Sequence, residues 1–579
     1  MTSPGARRRG GAVARFTLSL ALALAPPAAA APAPPRPALL ITAFIDDFGY
    51  ASASFNRAPG TAPPETLTPH MDALAREGVV LTRYHVHPFC SPSRASFMSG
   101  RLPVHVQQTN TQPDRPNAGV PFNMTTLPEF LRLAGAPVDA YVLGKYDVGA
   151  ATARHTPEGR GFNGSLVYFS HAIDAFTQND YAGAPGAGST CDDRFVDLWS
   201  DGAPAPALNG TAYADDLFLA RALALIGGHD FAGGRTLWLH VNTHATHDPL
   251  QATAAMLAPL NYTADDEGLC NASVSVSSTG AFFPGAPTDP ASWRRCRRVF
   301  EAMTQWVDGA LGQLRAAAVR RGVWNASLML VSSDNGGQLD LAYGGGSNFP
   351  LRGGKGSNFE GGTRVMAFAS GGLVPAARRG ATEHGLMHAA DALATVCGLL
   401  GAADACREDA RARAAGLPPL DSLDLWPLIS GANSTSPRTE VPVGPDALIS
   451  GRFKLLQGRQ GQAGWDGPLA PNASSPAHDP HAPSLDCSGA LGCLFDVLAD
   501  PGEHNDVAAE NPAVAAAMAA RLAELRKGFF SNSDGEAGLV CAHDAALNVS
   551  DGACACGRAA ATGFFEGAWA RPRWGGKNS

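Results

Sequence analysis

A chain of 579 residues with 45% hydrophobic and 17% charged side chains is long enough for one large α/β unit with an appendage, or for two to four compact units. Its 44 basic against 52 acidic residues give a formal net charge of −8, which excludes a global basic field for holding nucleic acid or an anionic membrane. Any anionic substrate has to be captured locally.

Residues 1–31 read as a signal peptide: Arg7, Arg8, Arg9 and Arg15 precede the apolar run Phe16 to Ala25, and small residues follow in "PPAAAAPAP". That run is about half the roughly 20 residues a spanning helix needs, and no comparable uncharged stretch follows, so no integral membrane association is expected. The chain has 11 cysteines, and an odd count in an oxidising compartment leaves one unpaired. Sequons at Asn123, Asn163, Asn209, Asn261, Asn271, Asn325, Asn433, Asn472 and Asn548 agree with a glycosylating secretory route. The expected destination is the secretory pathway, ending outside the cell or in a lysosome-like compartment.

Leu39 to Ile45 is a short apolar run that stops at Asp46-Asp47, the pattern of a buried strand with two carboxylates at its C-terminal end. Thr68 to Glu77 reads as a helix, with Thr68 placed to cap it and Pro69 at the first helical position. Cys90-Ser91-Pro92-Ser93-Arg94 follows, then "ASFMSGR" with Gly100 and Arg101. A thiol beside a Pro-constrained turn and an arginine suits a low-pKa nucleophile, and half of a disulfide is the alternative; removing Cys90 from the odd count leaves an even one. Lys145 and Asp147 lie in "GKYDVG".

Thr236 to Asn242 is a second strand-like run that leads into a His-rich loop, with His240 and His244 as nearby rivals of His247. Arg297 to Arg320 carries apolar residues at helical spacing, and Leu328 to Ser333 runs into Asp334-Asn335-Gly336-Gly337. Strands interleaved with helices indicate an α/β fold, and in such sheets ligand sites gather at the carboxyl ends of strands. Asp46, Asp47, Asp334 and Asn335 are hard oxygen donors suited to Ca²⁺ or Mg²⁺. Lys355 stands in "NFPLRGGKGSNFEGGTR". Past Val441 the texture changes, with strand-like Gly451 to Leu456, "CLFDVLADP" and an amphipathic stretch from Asn511 to Leu525. The expected organisation is a catalytic domain over 38–440, a smaller domain over 441–530 and a Cys-containing tail over 531–579.

"CSPSR" with its downstream Gly-Arg resembles the C-x-P-S-R signature of the type I, formylglycine-dependent sulfatases. Asp46-Asp47 and Asp334-Asn335-Gly336-Gly337 are similar to that family's D-D-x-G and D-N-G-G metal motifs, in the same chain order. "GKYDVG", "ATHDPLQ" and the Lys355 segment are similar to its G-K-W-H-L-G, A-x-H-x-P-L-Q and N-x-P-L-R-G-x-K segments. The likeness runs from about Leu39 to Asp506, through "GRGF", "HAADALAT", "SPRTE" and "LFDVLADPGEHND". Around His247 and Lys355 the texture is nearest to arylsulfatase B-like (N-acetylgalactosamine-4-sulfatase-like) enzymes.

The resemblance implies an alkaline-phosphatase-like α/β sandwich, with a large mixed sheet flanked by helices and a smaller C-terminal α+β domain. It implies a sulfuric ester hydrolase in which a formylglycine-generating enzyme converts Cys90 to an aldehyde. The hydrate of that aldehyde supplies one hydroxyl to attack sulfur and a second to expel sulfate. Asp46, Asp47, Asp334, Asn335 and residue 90 would hold Ca²⁺, with Mg²⁺ as the alternative; Arg94 would align the nucleophile, Lys145 and Lys355 would offset sulfate charge, and His247 would assist the leaving oxygen. The substrate would be a sulfated small molecule or carbohydrate. One departure stands out: Asp147 replaces the family's histidine, putting a weaker base and an extra negative charge where the second hydroxyl's proton is taken. Two other readings therefore stay open: a phosphonate or phosphodiester hydrolase of the same superfamily, and a catalytically impaired binder of sulfated glycans.

Overall fold

The computed structural model describes residues 35–57, 67–111, 118–150, 153–180, 196–261, 290–338, 345–465 and 484–530, besides Met1. The signal segment 1–31, the tail 531–579 and Cys191, Cys270, Cys541, Cys554 and Cys556 lie outside the described residues. The strands that make up the main sheet are, in chain order, β1 (Leu39–Ile45), β2 (Val79–Leu81), β3 (Val138–Lys145), β4 (Gly164–Tyr168), β5 (Trp199–Ser200), β6 (Ala203–Pro204), β7 (Thr236–Thr243), β8 (Ser327–Ser333), β9 (Ala367–Ser370) and β10 (Ala381–Glu383). They lie side by side in the order β10-β2-β9-β8-β1-β7-β3-β4-β5-β6.

The central strands β8, β1, β7, β3 and β4 pair in parallel, while β9 and β5 run antiparallel to their neighbours β8 and β4. A parallel centre must be covered on both faces, and β1 shows how: all seven of its side chains are buried. Leu39, Ile41, Ala43 and Ile45 face one core with α1 (Pro69–Glu77), α3 (Ala214–Gly228) and α4 (Pro290–Arg320), through Met71, Leu74, Phe218, Val299 and Met303. Leu40 and Phe44 face the other with α2 (Cys90–Ser99), through Ala95, Phe97 and Met98. This is the expected layered α/β sandwich.

The strand expected at 236–242 and the helix expected from 297 both extend slightly beyond those bounds. Pro69 does open α1, but Thr68 does not cap it. Its hydroxyl bonds Ser54 instead, and the Asp308 carboxylate of α4 accepts the His70 and Met71 backbone N–H groups at 3.1 and 2.7 Å. The orphan donors of a helix start need an acceptor, and here a neighbouring helix supplies it.

After Thr439, β11 (Glu440–Gly444), β12 (Ala447–Ser450), β13 (Phe453–Leu456) and β14 (Cys493–Asp496) form an antiparallel sheet in that order. Leu448, Leu455 and Leu494 lie under α5 (Pro512–Arg526), which contributes Ala515, Met518 and Leu522. The other face, with Val441, Ile449, Leu456 and Phe495, packs on Leu102, Val104, Phe359 and Leu386. The segment predicted as a strand from Gly451 begins pairing at Phe453, because Gly451 has φ 56 and Gly451-Arg452 make the turn. Disulfides join Cys397 to Cys406 and Cys487 to Cys493, and Cys296 is also disulfide-bonded. Among the described residues, no helix is long and apolar enough to cross a membrane.

Candidate active site

Because β1, β3, β7 and β8 are parallel, their C-terminal ends open on one edge of the sheet. Asp46 and Asp47 follow β1, Lys145 ends β3, His244 and His247 follow β7, and Asp334 and Asn335 follow β8. Three of these ends were expected from sequence; the Lys145 strand was not. Asp47 has φ 54 and Asp147 φ 47, left-handed conformations that an aspartate tolerates better than most side chains and that concentrate at functional sites. Gly144 is required by close approach: a Cβ there would lie 1.7 Å from the Asn242 carbonyl oxygen of β7.

The Cys90 segment is built for position. Cys90 opens α2, and Pro92 falls in the first turn, where its missing N–H costs nothing. The Ser93 hydroxyl accepts the His87 N–H at 2.9 Å and touches the Phe89 carbonyl at 3.0 Å, tying down the approach to residue 90. Gly100, at φ 66, ends the helix, and buried Arg101 pairs with Asp409 at 2.9 Å, away from the strand ends.

Cys90 is buried and is the free cysteine among the described residues, as parity predicted. Its Sγ lies 3.4 Å from Asp46 Oδ1 and 3.9 Å from Asp47 Oδ1. The low-pKa thiol expected from sequence is corrected here: burial and the neighbouring Asp46 carboxylate push the thiol well above its ordinary range.

Ion pairs lace the centre together. Arg94 Nη2 meets Asp334 Oδ2 at 2.8 Å, and its Nη1 donates to the Lys145 carbonyl. Lys145 Nζ donates to Asp46 Oδ2 at 2.8 Å and stands 3.7 Å from Asp147 Oδ2. Lys355 Nζ donates to Asp47 Oδ2 at 2.7 Å and contacts His247 Nε2 at 2.8 Å. An ammonium only donates, so Nε2 accepts and Nδ1–H goes to the Asp248 carbonyl at 2.6 Å. In this arrangement the proton between the two belongs to Lys355.

Among the rivals, His240 is excluded from the centre: its Nδ1 bonds Thr42 at 2.9 Å, its ring stacks on Phe97, and burial drives its pKa down to about 3. His244 is buried with neither ring nitrogen hydrogen-bonded. Burial opposes ionisation of Asp47, but Lys355, the Asn335 hydrogen bond and Lys145 act against it and the carboxyl is held well below its usual range. Burial and Asp46 push Asp334 up to about 7.

Ligand atoms of Asp46, Asp47, Cys90 and His247 all lie within 4.8 Å of one another. Asp334 and Asn335 join through Asp47: Asp334 Oδ1 accepts the Asp47 N–H at 3.3 Å, and Asn335 Nδ2 donates to Asp47 Oδ1 at 2.8 Å. That leaves the buried Asn335 Oδ1 with no hydrogen-bond partner. An orphaned acceptor beside clustered carboxylates fits a hard cation.

Sequence reasoning missed His171, whose Nδ1 meets Asp147 Oδ1 at 2.9 Å. Nothing local marks it in "YFSHA". The signal is long-range: β3 and β4 are parallel with Lys145 opposite Tyr168, so the loops carrying Asp147 and His171 leave the sheet side by side.

A ten-stranded mixed sheet with a cysteine, carboxylates and cations at the C-terminal ends of its parallel strands defines an α/β protein with a buried polar centre suited to a hard cation, and the comparisons specify its family. The Sulfatase family pattern matches residues 39–402. The chain is 27% identical to arylsulfatase J of Mus musculus over 521 residues, covering 84% of this chain and 75% of that one. It is 30% identical to arylsulfatase A of Bos taurus over 522 residues, covering 85% and 88%. The solved structure of Ps i-CgsB in complex with k-i-k-neocarrahexaose shares the fold, with a TM-score of 0.62 at 22% identity over 86% of this chain and 94% of that one. The chain belongs to the sulfatase family. It is a sulfuric ester hydrolase.

Proposed function

We propose that the chain removes sulfate from a sulfated carbohydrate, using residue 90 after conversion of its cysteine to formylglycine in the secretory pathway. The observation that carries this reading is the free, buried Cys90 held at a helix start between Asp46 and Asp47. The hydrated aldehyde supplies the hydroxyl that attacks sulfur and the one that later expels sulfate, neither of which a thiol offers. Asp46, Asp47, Asp334, Asn335 and residue 90 would hold Ca²⁺ or Mg²⁺, which polarises sulfate oxygens.

The chain's own residues do the rest. Four carboxylates (Asp46, Asp47, Asp147, Asp334) meet three cations (Arg94, Lys145, Lys355), so with a divalent ion bound the centre would be net positive toward an anion. Lys145 and Lys355 are then free to redirect N–H groups onto sulfate. Arg94 fixes Asp334 and the end of β3, while Lys355 and His247 stand together to protonate the leaving oxygen. Asp147 accepts the proton released when the aldehyde is regenerated. Passage through a glycosylating route, with a formylglycine-generating enzyme as maturation partner and secretion or a lysosome-like compartment as destination, is supported by the exposed sequon residues Asn123, Asn163, Asn261, Asn325 and Asn433.

Mass analysis of the tryptic peptide Tyr84 to Arg94 from native protein tests the nucleophile, together with turnover of nitrocatechol sulfate before and after a chelator. The expected result is an aldehyde at position 90, sulfate hydrolysis exceeding that of a nitrophenyl phosphodiester, loss on chelation and recovery with Ca²⁺ or Mg²⁺. An unmodified thiol in active enzyme would remove the proposal.

A further inference from the structure

Asp147 is fully buried, yet only one of its oxygens is hydrogen-bonded. Oδ1 faces His171 Nδ1 at 2.9 Å; Oδ2 has no hydrogen-bond partner among the described residues and lies 3.7 Å from Lys145 Nζ, the ammonium that also holds Asp46. A buried carboxylate oxygen without a donor is costly, on the order of 1–3 kcal/mol, and the backbone at Asp147 adds a left-handed φ of 47. His171, by contrast, keeps 21% of its side chain exposed. The two residues therefore form a chain from the ion-paired centre to solvent, with an unused acceptor at the inner end.

We propose that Asp147 and His171 work as one unit: His171, a positioning residue, donates Nδ1–H to Oδ1 and so leaves Oδ2, beside the Lys145 ammonium that also faces residue 90, as the oxygen that receives a proton from residue 90 as sulfate departs. This rests on the formylglycine reading of residue 90. In that step the O–H bond of the remaining hydroxyl breaks and its proton goes to Asp147 Oδ2. The freed electron pair forms the C=O bond, and the C–O bond to sulfate breaks with its pair leaving on sulfate. His171 keeps its own Nδ1 proton through this step, so Oδ1 stays fixed while Oδ2 takes up the proton.

The groups facing the pair agree with this assignment. Lys145 and Arg94 are the cations near Asp147, and Asp197 and the Tyr168 phenol are its other titratable neighbours. Burial opposes ionisation of Asp147, but His171, Lys145 and Arg94 outweigh it and hold the carboxyl below its usual range, which keeps it ionised and makes it a weaker base. An isolated carboxylate is a poor base; one whose acceptor oxygen is held in place compensates by geometry.

Two measurements test the unit. Histidine-labelled Cys90→Ala protein, with His171→Asn for assignment, reports the His171 tautomer by nitrogen NMR without needing aldehyde or metal. Nδ1–H is expected, and Nε2–H would overturn the proposal. In aldehyde-containing enzyme, His171→Ala should lower kcat and KM together, each roughly a hundredfold, leaving kcat/KM within about twofold of wild type. It should show a stoichiometric burst of phenol and accumulate sulfated Tyr84 to Arg94 peptide, because only the second step is slowed. His171→Asn keeps an N–H near the Nδ1 position and should recover most of the loss. Undiminished turnover in His171→Ala, or a loss without burst and without rescue, would overturn the unit alone. Wild-type enzyme with confirmed aldehyde but no sulfate-ester turnover would sink the formylglycine reading and this one together.

Discussion

Asp197 illustrates how single buried residues set the conditions under which the site holds its shape. Its carboxylate accepts the backbone N–H groups of Phe169 and Ser170, the residues that lead from β4 to His171. Burial nevertheless pushes its pKa up to about 6 from 3.8, against the pull of those bonds. A raised folded pKa means that the contribution to stability is complete below the unfolded value and is lost as pH rises through the folded one. Raising pH from 4 to 7 should therefore cost up to about 3 kcal/mol at this residue. Asp197→Asn should flatten the fall in urea-unfolding free energy across that range, and an unchanged slope would count against the assignment.

At the scale of elements, several motif residues prove to be braces between segments far apart in sequence. Arg438 of "SPRTE" donates Nε–H to Asp391 of "HAADALAT" at 2.8 Å, Arg160 of "GRGF" meets Glu129 at 3.4 Å, and Asn348 bonds the Gly337 backbone through both its oxygen and its nitrogen. The join between α1 and α4 follows the same logic, since Asp308 caps α1 from outside. Asp308→Ala should lower stability by about 1–2 kcal/mol, the usual cost of a lost cap, with kcat and KM essentially unchanged because the cap lies away from the strand ends. Thermal unfolding alongside nitrocatechol sulfate kinetics checks both halves of that expectation.

At the scale of the whole molecule, a buried charge cluster ties the C-terminal antiparallel sheet to the segment that follows Lys355. Lys454 of β13 is buried between Glu360, which stands five residues past Lys355, and Glu503, at 3.1 and 3.2 Å. Burial opposes ionisation of Glu360, but Lys454 and His85 outweigh it, whereas burial raises Glu503 to about 7. The cluster thus holds one buried ion pair and one carboxyl that is about half protonated near pH 7. Lys454→Met strands the Glu360 charge and should cost about 3–5 kcal/mol, whereas Glu503→Gln, which imitates the neutral form, should cost under about 1 kcal/mol. Equal losses from the two substitutions, read from denaturation midpoints at pH 7, would refute that division of charge.

Local pattern in the sequence determined the buried strands ending in Asp46-Asp47 and Asp334-Asn335, the Pro69 helix start, the unpaired Cys90 and the change of texture near Val441, because each rests on neighbours within a few residues. The motifs around Arg94, Lys145, His247 and Lys355 named candidates for the same reason. What the sequence left open depended on contacts across the chain. Whether His240, His244 or His247 meets the carboxylates was decided by which side of β7 and its loop each occupies. The ionisation of Cys90 was decided by burial against Asp46, and the cap of α1 by a helix more than two hundred residues away. His171 reached Asp147 only through the parallel pairing of β3 with β4, since strand register is a property of the folded sheet and leaves no local mark on the residues it brings together.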